Sequence, residues 1–398
     1  MPGVPYMFLM RESAAQPGAY TDRRGPTPDR VCLMIGQLGL GGAEKQIALL
    51  ARELSERGIV TDLLVMFGRG PREEELLGSG VRVVDLGFRR RRPLLTGLTG
   101  NARAFARLVL HLRRTRPQVL QAFLFHAYLI AAPAARLAGV PVLVAGRRSL
   151  GDYKQGRRLA LAAERLATRW TDSVVANAQA VAEDVRRNEG VPAAKITVIP
   201  NGMPRRDFEP ARAAAVDTSL PIVLCVANLA AHKGHRYLLE ACALLRSKGR
   251  ACTLLLVGDG PERASLTAQA ERLGVDVRFL GARTDVAPFL ARADVVVLPS
   301  LHEGCSNAVM EALAAGRPMV ATAVGGTPEL LRGHGVLVPP ADAAALADGL
   351  QRLLDDRKLA DEFGRNGCAW ARATLSVEAM ADRYVSLYRE LLGRPCAA

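Results

Sequence analysis

Aromatic residues are scarce in this chain, at 5% of the sequence. A surface that stacks nucleic-acid bases needs aromatic platforms among its basic residues, so no nucleic-acid partner is expected. Cysteines are few and scattered: seven in 398 residues, at 32, 225, 242, 252, 305, 368 and 396, with no Cys-x-x-Cys. That pattern excludes a disulfide framework and a zinc knuckle and suits free thiols in a reducing, cytoplasmic compartment. No apolar run approaches the ~18 residues of a membrane span. The longest candidate, around Phe123 to Gly146, is cut by His126, Pro133 and Arg136. The apolar patch Val4 to Met10 has no basic residue before it, so a signal peptide is not expected. Asp-x-Asp is missing throughout, which removes the usual pair of carboxylates for a divalent cation on a diphosphate. No metal and no resident cofactor is therefore expected. Acidic residues nearly vanish between Val81 and Trp170, where three (Asp85, Asp152, Glu164) stand against 18 lysines and arginines. This segment holds essentially the whole net charge of +14, and points to an anionic partner or surface.

What is present is alternation. Short Val/Ile/Leu runs at 30–36, 59–67, 82–86, 119–123, 141–145, 173–176 and 196–199 alternate with helical patterns, and so do runs at 221–227, 253–257, 275–280, 295–298, 318–322 and 335–338. Continuous apolar runs suit parallel strands covered on both faces. The fold class expected is α/β, with two facing Rossmann-like doubly wound domains and a cleft between them. The division expected is a disordered leader over 1–29, a first domain over 30–200, a linker over 201–219 and a second domain over 220–375. A final helical segment, 376–398, could cross back to the first domain.

The most informative stretch runs from Pro299 to Ala312, with Glu303 in a loop and Glu311 about two turns after it, in a helix that begins near Ser306. Helix N-termini present unpaired N–H groups and partial positive charge, which suits a phosphate. Two carboxylates beside that end suit hydroxyl-rich groups. Lys233, just beyond the first strand of the second domain in Asn228-Leu229-Ala230-Ala231-His232-Lys233-Gly234, can reach a phosphate as a point charge. Gly39-Leu40-Gly41-Gly42-Ala43-Glu44 follows the first strand and lets the backbone approach a phosphate or sugar, though a plain tight turn accounts for it equally well. Gly258-Asp259-Gly260-Pro261 reads as a turn into a helix, and Gly281 to Asp285, including Arg283, could hold a nucleobase, with Asp285 as an N-cap. His126 ends the fourth strand, either packed in the core or facing the cleft. Arg147 and Arg148 end the next, where an anionic acceptor could meet them.

Together these residues resemble glycosyltransferase family 4, retaining enzymes of the GT-B fold, over about residues 30 to 392. The strongest piece is Glu303 and Glu311 with seven residues between them, in a Ser-x-x-Glu-Gly-x-x-Asn-x-x-x-Glu-Ala setting. Gly41-Gly42-Ala43-Glu44, Lys233-Gly234, Val198 to Gly202, Val257 to Gly260 and Gly325-Gly326-x-Pro328-Glu329 are also similar. The resemblance implies transfer of a hexose-type sugar from a nucleotide-diphosphate donor. It gives Lys233 the donor diphosphate, Glu311 the ribose hydroxyls, Glu303 the transferred sugar, and the backbone of Ser306, Asn307 and Ala308 the phosphates. Gly41 and Gly42 would approach from the other domain, and His126 would lie near the sugar. The chain departs from many members at Asn228, where they carry Arg, and at Gln121-Ala122-Phe123, where they carry His-x-His. An epimerase on the same fold, or a non-catalytic basic binding protein, is the alternative. Arg89 to Arg92, with Arg103, Arg107, Arg113, Arg114 and Arg116, would dock on anionic lipid at the cytoplasmic leaflet, beside a lipid-linked or other anionic acceptor.

Overall fold

The computed structural model describes residues 25–89, 94–149 and 158–394. Most of the expected leader and Arg90 to Arg92 lie outside the described residues. The end of that leader is a correction: residues 25–29 are tied down. Gly25 N–H donates to the carbonyl of Arg389 at 3.1 Å, and Asp29 N–H donates to Gln118 Oε1 at 2.6 Å.

Two sheets form, and every paired strand in them is parallel. The first has seven strands in the order β3-β2-β1-β4-β5-β6-β7, from β1 (Arg30–Ile35), β2 (Val60–Val65), β3 (Arg82–Asp85), β4 (Val119–Phe123), β5 (Val142–Arg147), β6 (Ser173–Ala176) and β7 (Ile196–Val198). The second has six, β10-β9-β8-β11-β12-β13, from β8 (Ile222–Val226), β9 (Thr253–Val257), β10 (Val277–Phe279), β11 (Val295–Leu298), β12 (Met319–Thr322) and β13 (Val336–Val338). Strand order reverses between β1 and β4 in one sheet and between β8 and β11 in the other. The crevice outside the carboxyl ends of such strands is where α/β sheets take ligands.

Helices cover both sheets because their apolar stripes recur at three and four residues. In α1 (Gly42–Glu56), Ile47, Leu50 and Leu54 are buried against β1 and β2. Helices α2 (Leu94–Thr115), α3 (Phe125–Ala138) and α4 (Arg158–Arg169) lie side by side in the first domain. The last helices start on side-chain caps: Asp342 on α11 (Ala343–Asp355), Asp356 on α12 (Arg357–Thr374) and Ser376 on α13 (Val377–Leu392) each accept from an N–H three residues on. Met203 and Ser376 form an isolated bridge, so the chain passes between the domains twice at one place. Beyond it α13 buries Val377, Met380, Tyr384, Leu387, Tyr388 and Leu391 in the core of the first domain, with Ile47, Leu50 and Phe123. No helix among the described residues is long and apolar enough to cross a membrane.

Candidate active site

Lys233 and Glu303 meet at the switch point of the second sheet. Lys233 ends a short 3-10 turn after β8, and Glu303 stands in the loop after β11. The ammonium Nζ lies 2.5 Å from Glu303 Oε1, and Ser300 Oγ donates to the same oxygen at 2.7 Å. Both charged side chains are largely shielded, at 17% and 9% exposure. The two loops are joined by backbone as well, since Leu301 N–H donates to His232 O at 2.7 Å. Gly234 sits against Pro299 O with no room for a side chain.

The Glu303 loop rests on a second one. Gly325, at φ +52°, lies so close to Glu303 O that any Cβ would overlap it, and Gly326 N–H donates to Gly304 O at 2.8 Å. The paired glycines of Gly325-Gly326-x-Pro328-Glu329 therefore cradle the backbone that carries Glu303. Glu329 does something else: its carboxylate accepts the N–H groups of Gln179 and Ala180, at 2.8 and 2.9 Å, capping α5 (Gln179–Asp184) of the opposite domain.

Helix α9 (Asn307–Ala314) follows Glu303, with the buried Ser306 at its N-cap. The first domain faces this end directly. A Cβ on Gly42 would lie 2.7 Å from Asn307 Nδ2, while Asn307 Oδ1 accepts from Asn201 Nδ2 at 3.0 Å. Gly41, at the N-cap of α1, has the Glu44 carboxylate folded back against it. Glu311, one turn into α9, receives a lysine that sequence reasoning passed over: Lys45 Nζ lies 2.8 Å from Glu311 Oε1 and 3.5 Å from Asp207 Oδ2. Burial alone would lower the Lys45 pKa, but Glu311 and Asp207 outweigh it and the pKa is raised.

Other expected positions resolve differently. Asn228 is exposed after β8, next to Gly258, where a Cβ would overlap Ala227 O; Gly258 N–H donates to Gly281 O at 2.8 Å. Asp285 is not a helix cap: α8 (Ala287–Arg292) starts after Val286, and Asp285 instead forms a two-bond ion pair with the exposed Arg283, at 2.9 and 2.7 Å. Pro261 lies in the turn, two residues before α7 (Arg263–Leu273). His126 is exposed in the first turn of α3, its ring edge-on to Phe67 and Phe125. Leu124 before it is held at φ +70°, a strained setting for a leucine.

Arg147 and Arg148 are not open to an acceptor. Arg147 is buried on Glu189 at 2.9 Å, near Glu164, and over the ring of Tyr128. Arg148 is buried too, donating to Asn201 Oδ1 at 2.7 Å and Tyr384 OH at 2.5 Å. Arg148, Asn201 and Asn307 thus run in series from α13 to the start of α9. The Val198 to Gly202 motif marked Asn201 in the sequence, but only the fold brings its partners Arg148 and Asn307 together. A cavity of about 410 Å³ lies on the hinge side of the Glu303 loop, with Asn177, Cys305, Glu329, Trp370 and Arg383 in its wall. At the opposite end of the first sheet, Cys32, Asp62 and His111 come within ligand distance of one another. There Asp62 is already held by Arg82 at 2.9 and 2.7 Å and by His111 at 3.1 Å, an arginine-rich setting unsuited to a cation.

Comparison with known proteins agrees with this geometry. The family model described as Glycosyltransferase Family 4 matches residues 40–206, and that described as Glycosyl transferases group 1 matches residues 220–356. The lipopolysaccharide core biosynthesis glycosyltransferase LpsE of Rhizobium meliloti is 31% identical over 355 residues, covering 87% of this chain and 95% of its own. The 2-deoxystreptamine glucosyltransferase of Streptomyces kanamyceticus is 29% identical over 390 residues, covering 88% of this chain and 99% of its own. Anabaena HepE, solved in complex with UDP-glucose, shares the fold with a TM-score of 0.76 at 23% identity, over 90% of this chain and 98% of that one. Kinship of this extent sets aside the epimerase and the non-catalytic binding protein: the chain belongs to glycosyltransferase family 4 and is a glycosyltransferase of the GT-B fold.

Proposed function

We propose that this enzyme moves a hexose-type sugar from a nucleotide-diphosphate donor to an acceptor hydroxyl with retention at the anomeric carbon and without a metal ion. The observation that carries the reading is the Lys233–Glu303 pair at the switch point, beside the α9 N-terminus and opposite Gly42. HepE and UDP-glucose in one crystal support a nucleotide sugar as the donor. Lys233 and the amides of Ser306 to Ala308 hold the diphosphate, and charge aimed at the leaving group is worth most in a water-poor cleft. Glu303 contacts the sugar and Glu311 the ribose. The bond from the anomeric carbon to the diphosphate breaks as the acceptor oxygen bonds to the same face, and the acceptor proton passes to the departing diphosphate oxygen. His126, at the rim of the cleft, lies near the sugar or the incoming hydroxyl.

The acceptor belongs to glycan, polysaccharide or glycolipid synthesis, a range in keeping with what LpsE is named for. A membrane-bound acceptor is favoured by the outer face of α2, α3 and α4. Arg103, Arg107, Arg113 and Arg114 are exposed there, interleaved with Leu110, Leu137, Leu166 and Trp170, which are 39% to 55% exposed. Arg113 donates to Leu137 O at 2.9 Å and Arg136 to Trp170 O at 2.6 Å, so the basic and apolar groups share one surface. Such a face suits the anionic inner leaflet of the cell membrane, with arginines at the headgroups and the indole at the boundary. Transfer is tested by incubating the enzyme with a panel of nucleotide sugars and reading the anomeric configuration of the product by NMR. Retention with full activity in EDTA is expected. An inverted product, or activity lost in EDTA and restored by magnesium, would overturn the mechanism.

A further inference from the structure

Side chains of the two domains meet across the cleft. Lys45 stands on the first turn of α1, next to the Gly41-Gly42 turn, and its ammonium reaches Glu311 of α9 at 2.8 Å and Asp207 at 3.5 Å. These three residues belong to the first domain, the second domain and the connection between them. All three are more shielded than exposed, at 17%, 18% and 23%. Glu311 has two oxygens, and Lys45 takes only Oε1. We propose that Lys45 is an interdomain latch and the positioning residue of Glu311: it closes the domains over the donor site and fixes the carboxylate that meets the ribose.

Three physical consequences support this role. A carboxylate with an ammonium at hydrogen-bond distance loses most of its freedom to change rotamer, so its second oxygen points in one direction. Lys45 offsets part of the carboxylate's charge, so the carboxylate repels the diphosphate of a donor bound beside it less strongly. The cluster has two carboxylates for one lysine, and the cation stays charged through the neutral range because both neighbours favour it over the cost of burial. Opening the cleft must break all of these contacts at once, together with the Asn201–Asn307 bond and the Glu329 cap on α5.

The ribose part of the inference rests on the donor reading above, and the latch does not. Lys45→Met keeps the length of the side chain and removes its charge. Solution X-ray scattering and amide exchange over residues 200–209, measured with no ligand, read the latch alone. Lys45→Met is expected to be more expanded and to exchange faster than wild type, with Lys45→Arg restoring both. Asp207→Asn, made from the other side of the bridge, is expected to shift both readings the same way, and guards against misfolding of the first variant. Of UDP, ADP and GDP, whichever binds wild type is expected to bind Lys45→Met at least tenfold more weakly. Unchanged scattering and exchange in a folded Lys45→Met would overturn the latch. Equal nucleotide affinity in an opened Lys45→Met would overturn the positioning of Glu311. An opened variant alongside a wild type that binds no nucleoside diphosphate would leave the latch standing and remove the donor reading instead.

Discussion

At the scale of single residues, the proposed mechanism divides the work unequally between Glu303 and Lys233. It sets Glu303 beside the reacting carbon, so Glu303→Gln is expected to lower kcat more than donor affinity. It gives Lys233 the diphosphate in both the ground state and the transition state, so Lys233→Ala is expected to damage both. Losing one such contact typically costs on the order of 10²–10³ in rate; kcat within about threefold of wild type for both variants would reject the assignment. His235, two residues on, is buried beside Cys225, and its Nδ1 has no hydrogen-bond partner among the described residues. Burial pushes its imidazole down to about 4, with the Lys233 charge adding to the effect. The unfolded imidazole titrates near 6.5. Between those values the unfolded chain holds the extra proton, so this contribution to stability is whole above about pH 6.5 and is lost as the pH falls toward 4. The loss is on the order of 3 kcal/mol. Urea midpoints at pH 7 and pH 4.5 should fall less between the two for His235→Asn than for wild type; equal slopes would refute this. Glu303 and Lys233 were legible in the sequence because each lies in a short local motif. Lys45 was not, because its meaning comes from a carboxylate 266 positions away, and Arg148 looked available because burial by α13 leaves no mark near it.

At the scale of elements, each of the thirteen strands among the described residues falls within about two residues of the apolar run that announced it, because strands covered on both faces are mostly apolar. The final helical segment expected at 376–398 contains α13, and the capping residues Asp342, Asp356 and Ser376 mark where the last three helices begin. Misjudged were the loops. Asp285 has the chemistry of a cap, and an arginine two residues earlier pairs with it first. The Gly325-Gly326 turn was seen as a motif but not as the floor of the Glu303 loop. Gly325→Ala tests that role. A methyl group at φ +52° would collide with Glu303 O, so the loop must move even if the fold holds. The expected result is a loss of roughly 1–3 kcal/mol from backbone strain together with an activity loss approaching that of Glu303→Gln. Wild-type turnover in Gly325→Ala would show that the two loops are independent.

At the scale of the whole molecule, charge is segregated. The basic face of α2 to α4 is expected to bring the enzyme down with anionic vesicles in a salt-sensitive way and hardly at all with neutral ones. Replacing Arg103, Arg107 and Arg114 with Ser should weaken that binding, since each basic residue near such a surface contributes about 1 kcal/mol. Equal partitioning onto neutral vesicles would turn attention to a soluble acidic acceptor. The return of α13 has a consequence for how the protein is made. The core of the first domain includes Tyr384, Leu387, Tyr388 and Leu391, from the second half of that helix. Burying each large apolar side chain contributes about 1.5–3 kcal/mol, and several of them together match the whole net stability of a typical domain, about 5–15 kcal/mol. A nascent chain emerging from the ribosome therefore carries a first half that must wait, incomplete, until the second half has been translated. A fragment ending at residue 206 is expected to expose its core and bind hydrophobic dye, and adding a synthetic peptide of residues 376–394 should quench that signal. Helix α13 finishes the domain begun far upstream of it, so translation must pass residue 391 before that domain is stable.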